Sequence, residues 1–99
     1  MSFVTTQPEV LVSMAGVLDS IGSTLTAENA AAAAPTAGVI PAAADPVSAL
    51  TAAQFANYAE RYQALGAQAT AIHELFVHTL STTAGSYEAT EAANALAVY

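Results

Sequence analysis

The chain has 99 residues, no cysteine, and a net charge of −7 with Arg61 as its single Lys or Arg. This balance excludes clustered Lys and Arg, and with them the usual means of binding phosphate, while the absence of cysteine excludes disulfides and thiolate metal sites. Apolar residues make up 55% of the chain, but 26 of these 54 residues are alanine, which offers little area to bury.

The first helix is predicted over residues of about 7–34. Thr6-Gln7-Pro8-Glu9 has the pattern of a capping box, in which Thr6 accepts a hydrogen bond from the third helical residue and Glu9 reaches back. Pro8 is tolerated in the first turn, and Pro35 is expected to stop the helix. Apolar side chains recur between these points in steps of three and four, which indicates one apolar stripe: Leu11, Met14, Leu18, Ile21 and Leu25.

A turn is predicted over residues 35–46, which contain three prolines and a glycine. Asp45 is the expected N-cap of a second helix over about 47–84, with Pro46 in the first helical position. Gly85 is the first plausible stop, so that residues 85–99 form a separate C-terminal segment. The large side chains of this helix repeat the spacing of the first: Phe55, Tyr58, Tyr62, Leu65, Ile72, Phe76 and Leu80.

Two such helices predict an all-α fold, an elongated antiparallel two-helix hairpin. Each helix offers the other one seam and leaves its remaining apolar flank in water, whereas stable helical units close a core with three or four helices. We therefore expect the hairpin to complete a four-helix bundle with a partner protein. The spacing does not decide which stripe faces the sister helix, and we expect the stretch from Phe55 to Phe76 to contribute to both contacts.

No pattern in the chain predicts catalysis, a cofactor or a metal site. His73 and His78 are five residues apart, which places them on different faces of a helix. No stretch of about 18 large apolar residues predicts a membrane span. Tyr87 and Glu91, four residues apart, would form a small exposed recognition surface if helical, although spacing alone favours packing of Tyr87 on the end of the bundle.

Three features together resemble the PE proteins of mycobacteria. These are the opening MSFV with Pro8-Glu9, the loop IPAAADPVSALTAAQF at 40–55, and the stretch from Tyr58 through Glu91 with its terminal YxxxE. The resemblance covers essentially the whole chain. It implies a helical hairpin that forms a heterodimer with a PPE protein and is a substrate of ESX-type (type VII) secretion, with Tyr87 and Glu91 in the positions of the YxxxD/E secretion signal.

The resemblance also implies a cellular role and a set of contacts. The chain is expected to be cytoplasmic before export, and secreted or held at the cell envelope or surface afterwards. The EspG-type chaperone of the family is expected to contact the PPE partner rather than this chain, and no nucleic acid or small-molecule substrate is expected. The alternatives are a self-associating structural protein of the cell surface and the N-terminal targeting domain of a longer PE protein with a variable or enzymatic C-terminal region.

Overall fold

A computed structural model describes residues 4–98, which form two helices, α1 (Pro8–Ala37) and α2 (Pro46–Ala97). These described residues include no β-strand, so the all-α, two-helix prediction is confirmed. The residues Met1, Ser2 and Phe3, which open the family-like pattern, and the terminal Tyr99 lie outside the described residues.

The chain divides into two compact units, and each unit contains one segment of α1 and one segment of α2. Unit 1 consists of Met1–Ile21 and His73–Tyr99, and unit 2 consists of Gly22–Ile72. In unit 1, residues early in α1 pair with residues late in α2, so the two segments run antiparallel. In unit 2, the end of α1, the connecting loop and the start of α2 form a helical hairpin.

The most buried side chains in both units are small. Ala15 and Ala84 are 1% and 0% exposed in unit 1, and Ala59 is 7% exposed in unit 2. Alanine allows two helix axes to come closer together than large side chains would. Within unit 2, the half-buried residues of α2 continue this alanine stripe in steps of three and four: Ser48, Ala52, Ala56, Gln63, Gly66 and Thr70.

The large side chains of unit 2 lie mostly outside this contact. Phe55, Tyr58, Tyr62, Leu65 and Ile72 are between 53% and 69% exposed, so more than half of each side chain remains uncovered by the sister helix. The alanine stripe has the same spacing as the aromatic one, and the helices meet through the stripe that lets their backbones approach more closely. Leu25 of α1 is also exposed in this unit.

In unit 1, some side chains of the predicted apolar stripes are half-buried and others are exposed. Leu11, Leu18 and Leu80 are half-buried. Three further members of the stripe, Met14, Ile21 and Phe76, are exposed. The stripe of α1 therefore contributes its two leucines here to the helix contact and presents its other side chains to the outside.

The start of α1 differs from the predicted capping box. The backbone N–H groups of Val10 and Leu11 donate to the Gln7 carbonyl at 3.0 and 3.2 Å. The Thr6 hydroxyl donates to Glu91. The capping role predicted for Thr6 is wrong because α1 begins at Pro8, which places Gln7 in the N-cap position.

Two predicted breaks do not stop the helices. Pro35 lies in the last turn of α1, where it removes one backbone donor, and the Thr36 hydroxyl donates to the Ala32 carbonyl at 2.6 Å. Gly85 lies inside α2, and its cost of about 1 kcal/mol relative to alanine does not end the helix, in which the neighbouring Ala84 is fully buried. The predicted separate segment 85–99 is thus helical as far as Ala97.

The predicted start of α2 is confirmed. Asp45 accepts the backbone N–H of Ser48 at 2.9 Å through Oδ1 and the Ser48 hydroxyl at 2.8 Å through Oδ2. These bonds satisfy a free donor of the first turn, and they lower the pKa of Asp45, the backbone bond most strongly. Pro46 follows as the first helical residue.

By length and composition, α1 is apolar enough to cross a membrane, with a mean hydropathy of 1.4 over 18 residues. The sequence expectation differed because it required large side chains, whereas alanine and valine raise the average here. A core helix of a soluble protein, or a signal sequence near the N-terminus, meets the same criterion. The hydropathy of α1 therefore does not assign it to a membrane.

The alanine contact leads to a direct prediction. Ala59→Leu adds volume where the helices of unit 2 meet and is expected to lower the free energy of unfolding by about 1–3 kcal/mol. Ala64→Leu, at an exposed position of the same helix, is the matched control and is expected to stay within about 0.5 kcal/mol. Thermal unfolding of the chain bound to its expected partner, followed by circular dichroism, measures both changes in stability. Equal effects of the two substitutions would contradict a helix contact at Ala59.

Candidate functional site

Tyr87 and Glu91 lie on α2, within unit 1. Residues four apart on a helix are neighbours on one face, so the phenol and the carboxylate lie side by side along the helix. Tyr87 is 45% exposed, and Glu91 is half-buried. The structure therefore forms the helical Tyr–Glu surface that the spacing allowed, with the tyrosine as its more exposed member.

Thr6 binds the acid of this pair. The backbone N–H of Thr6 donates to Glu91 Oε1 at 2.6 Å, and its hydroxyl donates to the same oxygen at 2.5 Å. These residues are 85 positions apart in the sequence. The two bonds tie the residues preceding α1 to the last part of α2, a contact that no local pattern in the sequence indicates.

These bonds also change the acidity of Glu91. The hydroxyl bond from Thr6 contributes most to lowering the pKa of the carboxyl group, the backbone bond adds to this, and desolvation opposes both. Hydrogen bonds donated to a carboxylate favour its charged form. Glu91 is accordingly held as an anion under neutral conditions.

An open depression of about 450 Å³ adjoins this contact. The residues that line it are Pro8, Glu9, Val12, Glu88 and Glu91. The Pro-Glu dipeptide and the acid of YxxxE, which are far apart in the sequence, therefore line one surface in unit 1. Within residues 4–98, no group of three or more histidine, aspartate and glutamate side chains is arranged to hold a metal ion.

The two histidines have different surroundings, in agreement with their spacing. His73 lies half-buried in unit 1, with Nε2 at 2.6 Å from the Leu18 carbonyl oxygen. His78 is exposed. The ring of His73 therefore makes a helix-to-helix contact.

Unit 2 carries an exposed aromatic face on α2, formed by Phe55, Tyr58, Tyr62, Leu65 and Ile72. We call this set the aromatic face. Contiguous exposed side chains of this size commonly mark sites of protein–protein interaction.

Polar contacts hold the edges of the aromatic face. The Tyr62 hydroxyl donates to Asn29 Oδ1 at 2.8 Å, and Gln63 Nε2 donates to the Asn29 carbonyl at 2.9 Å. Arg61 lies over the Tyr58 ring with its guanidinium carbon 5.8 Å from the ring centre, within the range of a cation–π contact. The ring of Tyr62 thus faces outwards while its hydroxyl bonds to α1, as expected for a tyrosine at the edge of a contact.

The acidity of Glu91 predicts a specific pH dependence. Its pKa is lowered in the folded chain, so the charged carboxylate stabilises the fold above the ordinary value of 4.5, and this contribution is lost as pH falls through the folded-state pKa. Glu91→Gln removes the titrating group and should flatten this acid limb in thermal unfolding of the chain bound to its expected partner, followed from about pH 7 to about pH 3. Asp45 titrates in both proteins, so their difference isolates Glu91, and parallel curves would contradict the prediction.

Comparison with known proteins places the chain in a family. The model of the PE family matches residues 4–94. The PE family protein PE13 of Mycobacterium tuberculosis is 61% identical over 97 residues, which is 98% of either chain. PE_PGRS33 and PE8 of the same species are 57% and 50% identical over 96% and 98% of this chain, which spans only 20% and 35% of their respective lengths. The chain belongs to the PE family.

Proposed function

We propose that the chain is a non-enzymatic PE domain that forms an obligate heterodimer with a PPE-family protein. In this proposal it carries the pair Tyr87 and Glu91 as an export signal for type VII (ESX) secretion to the cell envelope or the outside. The aromatic face carries the proposal, because the two helices of unit 2 leave their largest apolar side chains in water.

The energetics favour a partner on this face. Full burial of a large apolar side chain contributes about 1.5–3 kcal/mol, so the five members of the aromatic face offer on the order of 10 kcal/mol before the costs of association. The alanine contact between the helices offers far less. Two apolar helices of a PPE protein laid on this face would complete a four-helix bundle and bury what the hairpin leaves exposed.

The C-terminal part of α2 supports the second half of the proposal. Tyr87 is exposed in unit 1, and it lies one helical turn from the carboxylate of Glu91. A receptor can therefore reach both side chains from one side of α2.

The relatives extend the proposal to longer proteins. In PE_PGRS33 and PE8 the matching region is a minor part of a longer chain. The same domain would direct such a chain to the exporter as an N-terminal targeting unit. PE13 shows that a protein of nearly this length also exists.

Pairing is tested by a charge placed on the aromatic face. Leu65→Glu would bury an unpaired carboxylate against the partner and is expected to abolish co-purification with the co-expressed PPE protein. Ala67→Glu is the matched control, because Ala67 is exposed and lies about 200° around the helix from Leu65. It should leave pairing intact.

The oligomeric state of the chain expressed alone separates pairing from self-association. We expect a largely unfolded or aggregated chain by circular dichroism and light scattering. A stable homodimer, or a monomer with a sharp unfolding transition, would instead favour a self-associating structural protein of the cell surface or an independent fold.

The export signal is tested on the assembled pair. Tyr87→Ala removes the exposed ring and is expected to abolish export of the heterodimer while leaving its assembly unchanged. Thr90→Ala, at an exposed position between the two residues of the signal, is the control. Export that persists in the tyrosine variant would contradict the signal, and loss of the heterodimer would show that Tyr87 is structural.

A further inference from the structure

The acid of the proposed signal has a partner within the chain. Glu91 Oε1 accepts both the backbone N–H and the hydroxyl of Thr6, so the start of α1 holds the carboxylate from outside its own helix. Both bonds end on Oε1, and neither involves Oε2. A donor from a receptor can therefore bind Oε2 while these bonds stay in place.

The hydroxyl of Thr6 serves Glu91 rather than its own helix. A threonine just before a helix commonly caps the first turn through its side-chain oxygen. Here the Gln7 carbonyl accepts from Val10 and Leu11, so Gln7 rather than Thr6 lies in the N-cap position. The Thr6 hydroxyl donates its single proton to a residue that lies 85 positions further along the sequence.

Restriction of the Glu91 carboxylate by Thr6 lowers the entropic cost of its recognition by a receptor. A glutamate side chain has three rotatable bonds, and a receptor that binds it must restrict them at a cost in affinity. Two bonds to one oxygen restrict them before binding occurs. The carboxylate is thus oriented in advance beside Tyr87, one turn away on the same helix.

We infer that Thr6 is a positioning residue of the export signal, holding the Glu91 carboxylate in the orientation that the secretion machinery reads together with Tyr87. The inference rests on the proposed function. Thr6 lies near the N-terminus, whereas Tyr87 and Glu91 lie near the end of α2. The signal is therefore complete only when the start of α1 lies against the end of α2 in unit 1.

Substitution of Thr6 in the heterodimer tests this role. Thr6→Val keeps the shape and the backbone N–H but removes the hydroxyl, and it is expected to reduce export on the order of tenfold with assembly unchanged. Thr6→Ser keeps the hydroxyl and should restore export. Thr5→Val, the same change at the exposed neighbouring threonine, is the matched control and should export normally.

A second measurement follows Glu91 itself. In Thr6→Val the carboxyl resonance of Glu91, titrated by NMR in the heterodimer, should shift to a higher pKa because the hydroxyl bond is lost. In a Glu91→Ala background, Thr6→Val should cause no further loss of export if it acts through this carboxylate. Additive losses would overturn the inference.

Tyr87→Ala and Thr6→Val together distinguish failure of the positioning role from failure of the proposed export signal. If Tyr87→Ala abolishes export and Thr6→Val does not reduce it, the signal stands and the positioning role is overturned. Increased export in Thr6→Val would also overturn it, since Thr6 would then mask the acid. If Tyr87→Ala leaves export intact, the proposed function itself fails.

Discussion

The helices of both units meet through alanine, with Ala15 and Ala84 in unit 1 and Ala59 in unit 2 as the most buried side chains. A contact made of small side chains lets the backbones approach closely, but it removes little apolar surface from water. The large side chains must then lie elsewhere on the helices. The aromatic face of unit 2 is a consequence of this arrangement, and so is the proposed need for a partner.

Contacts between alanine side chains distinguish poorly between alternative alignments of two helices, because apolar contact is not directional. Directional polar contacts do not tolerate a shift in alignment. In unit 1, such contacts run from Thr6 to Glu91 and between the His73 ring and the Leu18 carbonyl. In unit 2, Asn29 bonds to the two consecutive residues Tyr62 and Gln63. These bonds define the antiparallel register within each unit.

The sequence features by which the chain resembles the PE family lie together on one surface of unit 1. The dipeptide Pro8-Glu9 and the acid of the YxxxE pair line the same depression in unit 1. The two most recognisable sequence features of the chain therefore belong to one surface, although they stand near opposite ends of the sequence. A surface assembled from both ends is present only in the folded chain, so the proposed export signal would be complete only in a folded, assembled pair.

Local chemistry in the sequence determined the two helices, the loop between them and the Asp45 cap, because these depend on residues within one or two turns. Only the tertiary structure decided which stripe faces the sister helix, since the alanine and aromatic stripes have the same period. Packing of unit 1, in which Ala84 is fully buried, also continues α2 through Gly85 despite a local penalty of about 1 kcal/mol. Thr6 shows the limit most clearly: its local pattern predicts a cap, and its acceptor lies 85 residues away, where only folding brings it within reach.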